Sequence, residues 1–355
     1  MTWWKKTQKG GDNSSLIQAD VVHYHAGAFD KEATQELCLH LIQQELAKYG
    51  LNAQACIEER VAEFAENYFN EQAKKAPAGF ARLNDPSMQR ALRTAQIEFA
   101  SSGSADLGET LVDLLVALST EEGGTTRAIA LTEALTVAPK LTRGQRDVLA
   151  VLVLLAMTNF NNWGSLEDMH SALESNLEPF LAGLPDGGID YRHMQSAGVG
   201  WVGFGTANGS LAELMLNRYP GFFTHGFESA DLPEQLRPQA DSALFVPALR
   251  NPDRIQLACL TPAVLDFYIS NNQELFGVSE TLKEIQKIGS MSAGEVQADL
   301  IENVPALKRL FEVWETSNID SFELTTTGIA IGHALLLSRT TAPLSLEMYI
   351  PGSET

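Results

Sequence analysis

Few residues in this chain stand at the spacings that chemistry demands. His23 and His25 share one face of a period-two segment, where a pair of imidazoles could grip a metal, but no third ligand follows at a fixed spacing. A strand with polar alternates is the simpler account. Gly198-Val199-Gly200-Trp201-Val202-Gly203 spells GxGxxG, which carries meaning only after a strand, at the opening of a helix and about 20 residues before an acid. Here a helical stretch, Asp190 to Gln195, precedes it, and Trp201 would obstruct a pyrophosphate. Close strand packing is the expectation.

His170, His193, His225 and His333 stand alone in sequence. An enzyme of unrecognised type would place its site near the glycine-rich turn, around Tyr191, His193, Trp201 and His225. No GxSxG, HExxH, P-loop or DxD-type signature occurs. The three cysteines, Cys38, Cys56 and Cys259, lie far apart without CxxC spacing, which argues against a disulfide framework or a zinc site. No catalytic residue is assigned, no metal or cofactor is expected, and the reading leans away from an enzyme.

The 355 residues and 45% hydrophobic content suffice for two or three domains with real cores. A formal net charge of −20 repels nucleic acid and anionic membranes, and neither is an expected partner. The Trp3-Trp4-Lys5-Lys6 opening is followed by no apolar h-region. The longest apolar run, Val148 to Met157, is well short of the roughly 20 residues that span a bilayer. A soluble, cytoplasmic protein is expected.

From Asp30 onward the helical period dominates, which predicts a mainly α fold. Leu39, Ile42, Leu46 and Tyr49 recur at spacings of three and four, as do Ile57, Val61, Phe64 and Tyr68. Asp85-Pro86 starts a helix with the stripe Met88, Leu92, Ala95 and Phe99, and Leu107, Leu111, Leu114 and Leu118 repeat the device. Another helix runs from Thr126 to Val137. Thr142 and Gln145 have capping-box spacing, and Val148 to Leu155 is apolar on every side, which places that helix at a domain centre. A helix from Leu166 to Leu181 closes the group.

Beyond Pro185-Asp186-Gly187-Gly188 the glycine-rich segment reads as a bent strand or hairpin, and further helices are expected over 211–218, 262–276, 278–288, 293–301 and 306–316. Gly328 to Gly332 is a GxxxG in an apolar run too short for a membrane, which predicts close helix packing in a core. The rings of Tyr219-Pro220-Gly221-Phe222-Phe223 are expected to be buried. Leu344, Leu346, Met348 and Ile350 alternate, which predicts a final strand and a small α+β, winged-helix-like carboxy-terminal unit of strand, helix and strand. The expected organisation is a tail over 1–29, a helical domain over 30–182, and a second, mostly helical domain over 183–355.

One β-prone segment stands apart, Gly11 to His25. A lone strand leaves both backbone edges unpaired and asks for a partner. Ile17, Ala19, Val21 and His23 face one way, while Gln18, Asp20, Val22 and Tyr24 face the other. In-register copies would make a small apolar seam, with amide ladders from Gln18 and Asn13. Asp20 opposes this, since like charges at strand spacing repel by about 1 kcal/mol per neighbour in water.

The string Gly11-Asp12-Asn13-Ser14-Ser15-Leu16-Ile17-Gln18-Ala19, after Trp3-Trp4-Lys5, resembles the tag of an uncharacterised bacterial family that opens with Trp-Trp-Lys and GDNSxxIQA. The likeness continues at Leu83-Asn84-Asp85-Pro86, Arg93-Thr94-Ala95-Gln96, Leu111 to Leu115, Glu133 to Lys140 and Leu324 to Gly332. Ile17-Gln18-Ala19 is similar to the core of RHIM-type motifs, the amyloid-forming tags of immune signalling, although such cores carry glycine where Asp20 stands. The resemblance implies a bacterial antiphage or stress-signalling protein. Asn13, Ile17, Gln18, Ala19 and Val21 would carry self-association, and the partner would be a second copy or another protein with a similar tag. The rivals are a structural homo-oligomer that uses the tag as an edge strand, and the unrecognised enzyme.

Overall fold

Gly103 ends one helix in a left-handed conformation, φ +63°, and Ser104 caps the next by accepting from the Leu107 N–H. Glycine takes that backbone without strain. The chain divides into two units at this junction. The computed structural model describes residues 31–46, 50–203, 209–237, 243–340 and 344–351.

The first unit has three helices, α1 (Lys31–Leu46), α2 (Leu51–Lys75) and α3 (Pro86–Ser102), with a 3₁₀ stretch at Pro77–Asn84. Each helix packs on the other two. Asp85 caps α3 by accepting from Ser87 N, and the expected stripe Met88, Leu92, Ala95 and Phe99 is buried. Val61, Phe64 and Tyr68 of α2 face the same core. On α1 the buried face is Thr34, Leu37, Cys38 and Ile42, with Leu39 turned outward. The apolar count missed this rotation because it gave Thr34 and Cys38 no weight. At the end of α3 the Arg60 guanidinium donates to Ala100 O at 2.6 Å, satisfying a terminal carbonyl.

The second unit opens with α4 (Ala105–Thr120), α5 (Thr126–Val137) and α6 (Arg143–Leu152), which runs into a π-helical turn at Val153–Met157. Then come α7 (Leu166–Leu181), α8 (Gly188–Ser196), β1 (Gly200–Val202) and α9 (Leu211–Arg218). A hairpin of β2 (Phe245–Pro247) and β3 (Ile255–Leu257) precedes α10 (Pro262–Ser270), α11 (Ser279–Ile285), α12 (Ala293–Asn303) and α13 (Leu307–Thr316). β4 (Phe322–Leu324) and α14 (Thr326–Arg339) follow. The fold is mainly α with a small α+β part. The division expected near residue 182 falls inside this unit, between α7 and α8.

The Thr142–Gln145 capping box forms as its spacing predicts, and every residue from Val148 to Leu155 is buried. α6 shares the centre with α14, which is buried from Thr327 to Leu336 and packs on α4, α5 and α6. Of the GxxxG glycines, Gly332 makes the approach to α6 possible, and Gly328 lets α14 meet the backbone just before Gly200. A Cβ on Gly332 would stand 2.6 Å from Leu149 O, and one on Gly328 would stand 2.0 Å from Val199 O. A buried ion cluster ties the same helices together. Arg146 meets Asp106 at 2.5 Å, and Arg339 meets both Asp106 and, at 2.7 Å, Asp147. Burial pushes the Asp147 carboxyl up to about 7 against the pull of the Arg143 and Arg146 charges.

β1 pairs antiparallel with β4, Trp201 opposite Glu323. A Cβ on Gly200 would meet the Phe322 ring at 2.3 Å, so this glycine serves close strand packing, as expected for the GxGxxG string. The hairpin β2–β3 was not expected, although Asn251-Pro252-Asp253 between β-prone segments is a turn signal. The run Leu344–Ile350 departs from its predicted strand. It forms a 3₁₀ turn at Leu346–Met348, with Leu346, Tyr349 and Ile350 buried and Met348 62% exposed. Polar contacts decide this: Tyr349 Oη meets Thr158 Oγ1 at 2.7 Å, and Leu344 O lies 3.1 Å from His333 Nε2.

Candidate functional site

The π-helical turn after α6 delivers the chain into an irregular segment rich in amides and rings, Thr158-Asn159-Phe160-Asn161-Asn162-Trp163. Such turns often sit beside functional sites, because the extra residue re-aims the backbone that follows. The segment is pinned from several directions. Arg218 donates to the carbonyls of Leu155, Ala156 and Thr158, closing the open end of the helix. Phe160 N donates to Tyr219 Oη at 3.2 Å, and Thr261 Oγ1 donates to Asn161 Oδ1 at 2.9 Å. Phe160 stacks on Trp163 with centroids 5.0 Å apart, and Trp163 packs on Tyr219 and Phe222. The rings of Tyr219, Phe222 and Phe223 are buried as expected, and the first two form the backing of this segment.

Between the segment and α7 lies a cleft of about 630 Å³. Asn159, Phe160, Asn162, Asp168, Ser171 and Asn176 line it, with Met348 at its side. Ser165 caps α7 through Asp168 N, and Asp168 returns an acceptor to Gly164 N at 3.1 Å, which fixes the mouth. Asn176 is only 8% exposed, and its Nδ2 donates to Ala172 O at 2.7 Å. Its buried Oδ1 finds no partner among the described residues. Leaving such an acceptor unpaired costs about 1–3 kcal/mol.

A second cleft of about 580 Å³ lies on the same helix and shares Glu167 and Ser171 with the first. Its one lining arginine is already paired. Arg250 holds Asp299 through two bonds of 2.6 and 2.7 Å, and His170 Nε2 stands 3.5 Å from the same carboxylate. Burial would raise the Asp299 carboxyl, but hydrogen bonds from His170 and Arg250, with the Arg250 charge, outweigh it and hold the group down to about 2.

The residues singled out from the sequence do not meet in these clefts. Tyr191 is fully buried, packs edge-on to Phe322 and accepts from Ser317 Oγ at 3.0 Å. His193 Nδ1 bonds Gln145 Oε1 at 3.0 Å, His225 stands 3.8 Å from Glu295, and Trp201 is 44% exposed. Each has a different neighbour. His333 is buried, and burial lowers its affinity for a proton. Burial also pushes the Cys38 thiol up to about 12. Among the described residues no group of three or more His, Cys, Asp and Glu could hold a metal, and no helix is long and apolar enough to cross a membrane. His23, His25 and the self-association residues Asn13, Ile17, Gln18, Ala19 and Val21 lie outside the described residues.

The cleft was legible in part. A cluster of asparagines directly after a wholly apolar helix is a loop signal, but Asn176 and Asp168 join it only through the path of α7.

No curated protein and no solved structure matches the chain. A protein-family model described as “:-like” matches residues 29–350, which takes in both units. The chain therefore belongs to that family.

Proposed function

We propose that this is a bacterial antiphage or stress-signalling protein that self-associates, or recruits a second protein with a similar tag, through its RHIM-like amino-terminal segment. The observation that supports this reading is the order along the chain of the RHIM-like string and the span that the family match covers. The family match begins at residue 29 and the described helices begin at Lys31, so the string from Gly11 to Ala19 precedes both. In such pairing Ile17, Gln18, Ala19 and Val21 would supply the seam while Asn13 adds a ladder.

Charge sets the threshold. Asp20 repels its stacked copies and the net charge of −20 repels the bodies, so assembly needs local concentration or a trigger and strengthens as salt screens these charges. The test is light scattering and thioflavin-type dye binding on the full chain, on a deletion of residues 11–25 and on Ile17→Asp. Loss of large species with an unchanged helical circular dichroism spectrum is expected. A small oligomer whose size survives Ile17→Asp would instead mean an edge strand, and the signalling reading would fall.

A further inference from the structure

We infer that the cleft between the Thr158–Trp163 segment and α7 is a binding site for a small, neutral ligand bearing vicinal hydroxyl groups, that is, a sugar ring. The inference does not depend on the tag.

Three observations converge on this chemistry. The first is size, since about 630 Å³ falls in the range of sites that enclose a small molecule. The second is the character of the lining. Asn159, Asn162, Ser171, Ser175 and Asn176 offer amides and hydroxyls that both donate and accept, and Glu167 and Asp168 add carboxylate acceptors. Among the described residues no lysine, arginine or histidine lines the cleft, so an anionic ligand such as a phosphate or a nucleotide would meet two negative charges and no cation there. A neutral diol suits this set, since its hydroxyls donate to carboxylates and accept from amides. The Phe160 ring, stacked on Trp163, and Met348 supply apolar surface for the C–H face of a ring.

The third is the orphaned acceptor. Asn176 lines the cleft, and its buried Oδ1 has no donor among the described residues, while the Nδ2 of the same amide is anchored on Ala172 O. The amide is thus held in place with one position open, and a ligand hydroxyl is the donor that completes it. The segment around it is fixed by Arg218, Tyr219 and Thr261, so little ordering cost falls on binding.

A sugar ring can arrive as a free saccharide or as a nucleoside, and the experiment separates them. The full chain is titrated with maltose and with adenosine, each to about 10 mM, with binding read by calorimetry and by saturation-transfer NMR. Spermidine is the cationic control. Binding of maltose or of adenosine supports the inference and names the source. Asn162→Ala, at an exposed position, and Asn176→Leu, which is close to the amide in size but removes the Oδ1 acceptor, should each weaken it by about tenfold. Asn162→Ala should leave the melting temperature unchanged. The inference is overturned if neither compound binds, if spermidine alone binds, or if both variants retain full affinity.

Discussion

The two glycines of α14 allow a test in which packing and helix propensity pull in opposite directions. Replacing glycine by alanine inside a helix gains about 1 kcal/mol of propensity. At Gly328 the new methyl would stand 2.0 Å from Val199 O, and ordinary contact begins near 3.4 Å, so the backbones must part by about 1.4 Å. That displacement strains two hydrogen bonds, Thr325 N to Val199 O at 3.1 Å and Thr325 Oγ1 to Gly198 O at 2.7 Å. Overpacking costs about 1–3 kcal/mol and each strained bond adds about 0.5, so after the propensity gain Gly328→Ala should be net destabilising by about 2 kcal/mol. Gly332 needs a smaller shift, from 2.6 Å, and part of its surroundings is the Val153 side chain. Its net loss should be about 1 kcal/mol. Gly294 in α12 has nothing within 4 Å of its added Cβ, so Gly294→Ala should stabilise by up to about 1 kcal/mol. Thermal melts followed by far-ultraviolet circular dichroism should place Gly328→Ala lowest, by about 4–8 °C. A Gly328→Ala protein as stable as Gly294→Ala would refute the claim that close backbone approach selects glycine there.

Arg339→Met should cost about 3–5 kcal/mol in urea denaturation, because it strips a guanidinium from Asp147, whose side chain is 2% exposed, and from Asp106. The defect should shrink as pH falls from about 8 to about 5. Asp147 is a raised acid, so the folded state holds its proton at a pH where the unfolded chain has lost it, and stability declines as pH rises toward 7. Equal defects at both pH values would show that Asp147 stays ionised throughout. Asp299 has the opposite sign. Its carboxyl is held to about 2 against an ordinary 3.8, so the stability it contributes is complete above about pH 4 and is lost as pH falls through 2. Asp299→Asn should destabilise the protein near neutral pH and flatten the acid limb of its unfolding curve. An acid limb identical to that of the unaltered chain would remove Asp299 from the account.

Sequence periodicity by itself determined most helices of this protein. α5, α7 and α9 carry their expected limits, the Thr142–Gln145 box forms, and Val148 to Leu155 is central, because each depends on neighbours three or four residues away. Spacing also marked Gly328 and Gly332 as a packing surface. Only the tertiary structure decided what those local signals do not contain. α1 turns Leu39 outward because its neighbours accept Thr34 and Cys38 as core, and Leu344–Ile350 follows the needs of Tyr349 and His333 in place of its own alternation. The same holds for the cleft. Asn162 and Asn176 are 14 positions apart, and nothing in that spacing joins them. A π-helical turn and the path of α7 bring both into one lining and leave Asn176 Oδ1 without a donor among the described residues. Helix period is a short-range property of the chain, whereas which polar groups share a cavity depends on packing between elements distant in sequence.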